Sequence, residues 1–167
     1  EEEIACDVDD LFIAIAEPTL IDEKHAINIA MTDREWFEQW LAEFNEHGIE
    51  VYKILPDALL LPDVDDNTQL RAIELNGQWL CKQGNWHIAA VETSWLAGYL
   101  TALGNPDVAH FSPATAFPDT VNLSAQTQQY DLPLALFAKQ LPEVKFNLRQ
   151  GVYQLKKKLS LIHISEP

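Results

Sequence analysis

Two turn dipeptides, Asn76-Gly77 and Gly84-Asn85, separate three short runs at residues 70–75, 78–82 and 86–91. Both supply the positive φ angles that two-residue hairpins require, so the runs fold back on one another as an antiparallel three-strand meander. Thr93 or Ser94 then caps a helix that carries Trp95, Leu96, Tyr99, Leu100 and Leu103 on one face and stops at Gly104. Residues 108–112 read as a fourth strand and residues 113–129 as mostly loop. Residues 131–141 read as an amphipathic helix with Pro133 in its first turn.

Upstream the pattern differs. Residues 11–16 and 25–31 are short apolar runs broken by Glu17-Pro18, and both read as strands. Thr32-Asp33-Arg34-Glu35 has the form of a capping box, with Thr32 and Glu35 satisfying the first free N–H groups of a helix that ends at Gly48. Trp36, Phe37, Trp40, Leu41 and Phe44 recur at helical spacing and are expected in the core. Residues 49–55 read as a strand and residues 56–62 as a proline-bracketed turn of helix. The acidic stretch 63–68 reads as a linker.

Charge narrows the range of partners. The 167 residues hold 11 Lys+Arg against 26 Asp+Glu, a formal charge of −15, which argues against nucleic acid as a partner. A hydrophobic content of 47% is enough for a packed core rather than an acidic disordered tail. No run reaches the roughly 18 apolar residues of a membrane span. Two cysteines, Cys6 and Cys81, are too few and too far apart to staple the fold, which reads as a reducing compartment. The chain opens on Glu1-Glu2-Glu3 without a methionine, in what reads as the end of a helix, and so reads as a piece of something longer. Residues 1–23 carry nine acids and no base, whereas Lys145, Arg149, Lys156, Lys157 and Lys158 make a basic end. The two ends are expected to face different surroundings.

Catalytic patterns are sparse. His25, His47, His87, His110 and His163 form no zinc spacing, and Ser94, Ser112 and Ser124 have no nucleophile elbow around them. Asp63, Asp65, Asn67 and Glu74 match positions 1, 3, 5 and 12 of a calcium loop. Thr68 stands where the sharp turn needs glycine, however, and Pro62 precedes the stretch, so a solvated acidic linker is the reading taken. No catalytic residue, cofactor site or metal site is expected.

The order of elements, a strand hairpin, a capped helix, a three-strand meander and a second helix, resembles the actin-like half-domain succession. Glu3-Ile4-Ala5, Asp7-Val8-Asp9-Asp10-Leu11, Leu55-Pro56-Asp57, Gly77-Gln78-Trp79-Leu80, Trp95-Leu96 and Phe146-Asn147-Leu148-Arg149-Gln150-Gly151 are similar to the cytoplasmic domain of the type II secretion system protein L family. The resemblance implies a partial α/β (α+β) fold of the actin-like, RNase H-like kind. It divides into a strand-hairpin piece at 1–31, the end of the first actin-like half at 32–62, a linker at 63–68, and a second RNase H-like half at 69–150. A basic juxtamembrane segment at 151–158 follows, and then a non-native tail at 159–167.

The same resemblance implies an inner-membrane platform protein, anchored by one membrane helix outside this chain, that acts on the cytoplasmic face of the bacterial inner membrane. It implies recruitment of the secretion ATPase, protein E, contact with platform protein M, and a homodimer. Asp7, Asp9, Asp10 and Glu17 are the residues expected to meet a basic partner. Glu74, Asn76 and Gly77 fall where active actin-like relatives turn around a phosphate. There the longer Glu, the Asn in place of glycine, and the bulky Gln78-Trp79 are expected to fill the space. An actin-like nucleotide-binding ATPase is the alternative reading.

Overall fold

The computed structural model describes residues 7–21, 24–64, 68–118, 125–128 and 132–155. Expectations for Glu1, Glu2, Glu3, Cys6, Asp65, Asn67, Lys156, Lys157, Lys158 and the tail at 159–167 lie outside the described residues. The chain forms two compact units, one of Glu1–Ile54 with Phe146–Pro167 and one of Leu55–Lys145. The unit boundaries therefore fall at 54/55 and 145/146, whereas the sequence placed a linker at 63–68 and ended the second half at 150.

In the first unit, β1 (Leu11–Ile15) pairs antiparallel with β4 (Ile29–Asp33), so that Leu11 lies opposite Asp33 and Ile15 opposite Ile29. β2 (Thr19–Ile21) and β3 (Lys24–Ala26) form a separate small hairpin. The single strand expected at 25–31 is thus two strands, because residues from Ile29 onward follow β1 and those up to Ala26 follow β2. α1 (Arg34–Glu46) is capped by Asp33, whose carboxylate accepts the Trp36 N–H at 2.7 Å. The cap sits one residue later than expected, at the last residue of β4. At the other end the Gly48 N–H donates to Asn45 O at 3.0 Å and the Ile49 N–H to Phe44 O at 2.8 Å. This 5→2 and 6→1 pair is a Schellman stop, with Gly48 at φ +68.

α1 covers one face of the sheet. Phe12 stacks on Phe37 at 5.0 Å, and Tyr153 packs edge-on against both rings. Phe37 and Leu41 are buried, but Trp36 and Trp40 are about half exposed, contrary to the expected core role. A helix lying on only two strands buries a narrower stripe than its apolar spacing offers.

Residues 49–55 form no regular strand, because their partners are not a strand. Asn147 accepts the Ile54 N–H at 3.0 Å and donates to the Tyr52 carbonyl at 3.0 Å, while the Leu148 N–H donates to Ile54 O at 2.7 Å. Arg149 donates to the Val51 and Tyr153 carbonyls. The Gln150 amide exchanges hydrogen bonds with both main-chain groups of Ile15, at 3.0 and 2.9 Å. The Phe146-to-Gly151 motif is therefore a clasp that closes this unit. Its Arg149, grouped with the basic end in the sequence, is a structural residue.

The second unit is built on a five-stranded sheet of order β7-β6-β5-β8-β9, from β5 (Gln69–Leu75), β6 (Gln78–Gln83), β7 (His87–Glu92), β8 (Asp107–His110) and β9 (Ala125–Thr127). The meander is antiparallel, and β8 and β9 add in parallel. Strand order and direction are those of an RNase H-like unit, as expected. The second hairpin has a three-residue loop, 84–86, instead of the expected two, and β9 lies where mostly loop was expected.

Sheet alternation divides the core between two faces. Leu70, Ala72, Trp79, Cys81 and Val108 pack with Leu96 and Leu100 of α2 (Leu96–Ala102). On the other face Ile73 and Leu80 pack with Ala58, Leu61 and Leu136, the last from α3 (Pro133–Gln140). Trp95 precedes α2 and is 72% exposed, so it is not part of the expected buried face. Nor do Thr93 and Ser94 cap α2, because both lie in a 3-10 turn, Thr93–Trp95, ahead of it.

Candidate functional site

The Asn76-Gly77 turn joins β5 to β6, with φ +53 and +84, the two left-handed residues of a two-residue hairpin. The Glu74 carboxylate folds back over it and accepts the Gly77 N–H at 2.6 Å. The Gly77 carbonyl accepts both the N–H and the hydroxyl of Thr93, at 3.1 and 3.0 Å. The Glu74 N–H donates to Ser112 Oγ at 2.6 Å. Both main-chain groups of Gly77 are therefore engaged within the protein. The carboxylate thus places negative charge at the turn, and an anion brought there meets like charge. Trp79 does not fill this turn, contrary to expectation: it is fully buried in the sheet core, and Gln78 is exposed.

The lysine of β6 is also committed. Lys82 is buried, and its ammonium donates to Leu59 O at 3.1 Å, Leu61 O at 2.8 Å and Asp63 Oδ1 at 2.5 Å. All three N–H bonds of the ammonium are used. The lysine thereby caps the carbonyls of the 3-10 turn Asp57–Leu60 and the residue after it. Asp63, which matches the first position of a calcium loop only in spacing, is its ion-pair partner. Among the described residues no group of three or more His, Cys, Asp or Glu side chains could hold a metal ion.

Burial raises the Cys81 thiol to about 12, which makes it a poor nucleophile. His110 stacks on Phe117 at 5.2 Å, with Trp79 edge-on at 5.8 Å. Burial holds its imidazole below the ordinary value, an effect partly offset by the nearby Ser112 backbone. His110 Nε2 lies 3.2 Å from Thr127 Oγ1.

The acids expected to meet a partner lie in the first unit. Asp7 caps a 3-10 turn, Val8–Asp10, accepting the Asp9 N–H at 3.2 Å. Asp7, Asp9 and Asp10 are thus gathered at the start of β1, all exposed. Glu17 is exposed too, but lies past the far end of β1, roughly 20 Å along the extended chain. Between them lies an aliphatic face of the β1–β4 pair. Ile13, Ile15, Ile29 and Met31 are all exposed, and their alternation with Ala14 and Ala30 was the available signal.

The profile of the family described as type II secretion system (T2SS), protein L, matches residues 1–156. Curated relatives named type II secretion system protein L include one from Vibrio cholerae, 27% identical over 93% of this chain and 38% of its own length. Another, from Klebsiella pneumoniae, is 30% identical over 95% of this chain and 37% of its own. The chain thus spans little more than a third of these relatives. A solved structure titled as the cytoplasmic domain of EpsL, an inner membrane component of the type II secretion system of Vibrio cholerae, superposes with a TM-score of 0.73 at 25% identity. It covers 92% of this chain and 65% of that one. The actin-like α/β reading of the sequence holds over that span.

Proposed function

This chain belongs to the type II secretion system protein L family, and we propose that it serves as a non-enzymatic adaptor. In this reading it is the cytoplasmic portion of a single-pass platform protein that recruits the secretion ATPase, protein E, to the cytoplasmic face of the bacterial inner membrane for protein export. Platform protein M and a second copy of the chain are its further proposed partners.

The observation that carries the reading is the acidic turn Asp7, Asp9 and Asp10, exposed at the start of β1 on a chain of net charge −15. Such a turn attracts a basic partner surface and speeds its encounter. The closure of Asn76-Gly77 by Glu74, and of Lys82 by three oxygens, supports a fold that has given up nucleotide chemistry.

Capture of purified protein E by the immobilised chain tests the proposal. Retention should fall at least about tenfold between roughly 0.1 and 0.5 M NaCl, and similarly when Asp7, Asp9 and Asp10 are all changed to Asn. Unchanged capture by that variant removes the acids from the mechanism, and no capture by the parent chain rejects recruitment. Millimolar Mg-ATP should leave the melting temperature unmoved, because a ligand stabilises only what it binds. A clear rise that vanishes in Glu74→Ala would instead support the ATPase reading.

A further inference from the structure

β1 and β7 are both edge strands, and their edges are finished differently. The Ala16 N–H donates to Asn28 O at 2.9 Å, which sets residues 12, 14 and 16 in the ladder with β4 and turns the main-chain groups of Leu11, Ile13 and Ile15 outward. Side chains close both ends of that edge. The Arg34 guanidinium donates to Leu11 O at 2.7 Å, and the Gln150 amide takes both the N–H and the carbonyl of Ile15. For β7 the phase follows from the turn before β6. Leu75 and Gln78 flank that two-residue turn and exchange both hydrogen bonds, so alternation across β6 bonds β7 through His87, Ala89 and Val91. The Thr93 N–H, which donates to Gly77 O, continues the same phase. Ile88, Ala90 and Glu92 therefore direct their N–H and C=O groups away from the sheet, and among the described residues none closes them as Arg34 and Gln150 close β1.

Proteins ordinarily blunt an edge with proline, lysine or a bulge. β7 reads His-Ile-Ala-Ala-Val-Glu, six residues in unbroken register with β6, and has none of these. Its flanks identify what fits beside it. Ala89 and Val91 lie across from Cys81 and Trp79, on the face packed by α2, a helix without a charged residue. Ile88, Ala90 and Glu92 lie on the opposite face, where the Asp57–Leu60 turn packs. The available charge on that side is acidic, because Asp57, Asp63 and Glu92 are exposed while Lys82 is spent on Leu59, Leu61 and Asp63. A second copy would bring the same acids to this rim on a chain of −15, which disfavours self-pairing. A strand that fits carries aliphatic side chains toward α2 and Lys or Arg toward the turn, an alternation that one extended segment supplies.

We propose that β7 accepts one extended segment of a partner protein as an added strand, hydrogen-bonded to Ile88, Ala90 and Glu92, with aliphatic side chains toward α2 and Lys or Arg toward Asp57, Asp63 and Glu92. The edge belongs to the other unit from Asp7, Asp9 and Asp10, so the inference goes beyond the adaptor reading and does not rest on it.

Ala90→Pro tests it, because proline there removes an outward N–H and leaves the ladder to β6 its bonds, and circular dichroism can check that the fold is kept. The probe is a short synthetic peptide of alternating valine and lysine. It is compared with a valine/glutamate twin and with a copy of the lysine peptide methylated at every peptide nitrogen, which keeps the side chains and charges but has no donor for a strand ladder. The parent chain should hold the lysine peptide at least about tenfold more tightly than Ala90→Pro holds it, and more tightly by a similar factor than it holds the methylated copy, and should ignore the glutamate twin. Equal binding of the lysine peptide and its methylated copy overturns the inference as simple electrostatic adhesion, and this comparison needs no variant to fold. Equal binding by parent and a folded Ala90→Pro also overturns it, as does no binding by the parent. A dimer of the parent chain in sedimentation that Ala90→Pro abolishes overturns it as well, since the edge then pairs with a second copy.

Discussion

Lys82 illustrates how a charged residue in a strand can be structural: its ammonium is consumed by Leu59, Leu61 and Asp63. The sequence could not display this, because its three oxygen partners lie 19 to 23 residues away and two of them are main-chain carbonyls. His110 is buried without a charge partner to compensate protonation, and burial lowers its pKa from the ordinary 6.5. The unfolded chain therefore binds a proton at higher pH than the folded one. Between the ordinary value and the lowered one, unfolding takes up a proton, so stability declines as pH falls through that window and rises as pH returns. The melting temperature should drop more steeply from pH 7 to pH 5 in the parent than in His110→Gln. Parallel profiles would mean that another group carries the acid sensitivity.

Elements were legible where local chemistry fixes them and obscure where a distant partner does. Asn76-Gly77 declares its hairpin because both residues must adopt positive φ, and Gly48 and Gly104 declare helix stops for the same reason. β9 is three residues long and pairs parallel to β8 at a sheet edge, leaving no alternation to read. Residues 49–55 have the composition of a strand but are held by the side chain of Asn147, a partner some 90 residues away. The candidate site divides similarly: the acids and the turn were visible, whereas the bare aliphatic face emerges only once β1 and β4 are in register. For α1 the distinction between apolar spacing and burial is testable. Phe37 is buried against Phe12 and Tyr153, so Phe37→Ala should cost about 3–5 kcal/mol by chemical denaturation. Trp36 and Trp40 stack on each other at 4.9 Å but are half exposed, so replacing either with Ala should cost only about 1 kcal/mol. Equal losses at positions 36 and 37 would restore the sequence expectation that both are core.

At the scale of the whole chain, the two units are unequally built. The unit of Leu55–Lys145 has a five-stranded sheet with apolar clusters on both faces, one under α2 and the other under α3 and the Asp57–Leu60 turn. The other unit has two-stranded sheets, and its β1–β4 pair has one face covered and the other exposed. Two strands alone are marginal in water, so that pair depends on α1 and the clasp around Asn147 and Gln150. Opening it exposes little further apolar surface on the bare side, and local opening free energy follows the surface an element keeps from water. Amide hydrogens of β1 and β4 should therefore exchange at least about tenfold faster than those of β5 and β6, read by mass spectrometry of peptides spanning each pair. Uniform exchange across both sheets would mean that the chain opens as one cooperative body, and that the first unit gains its stability from something other than the packing described.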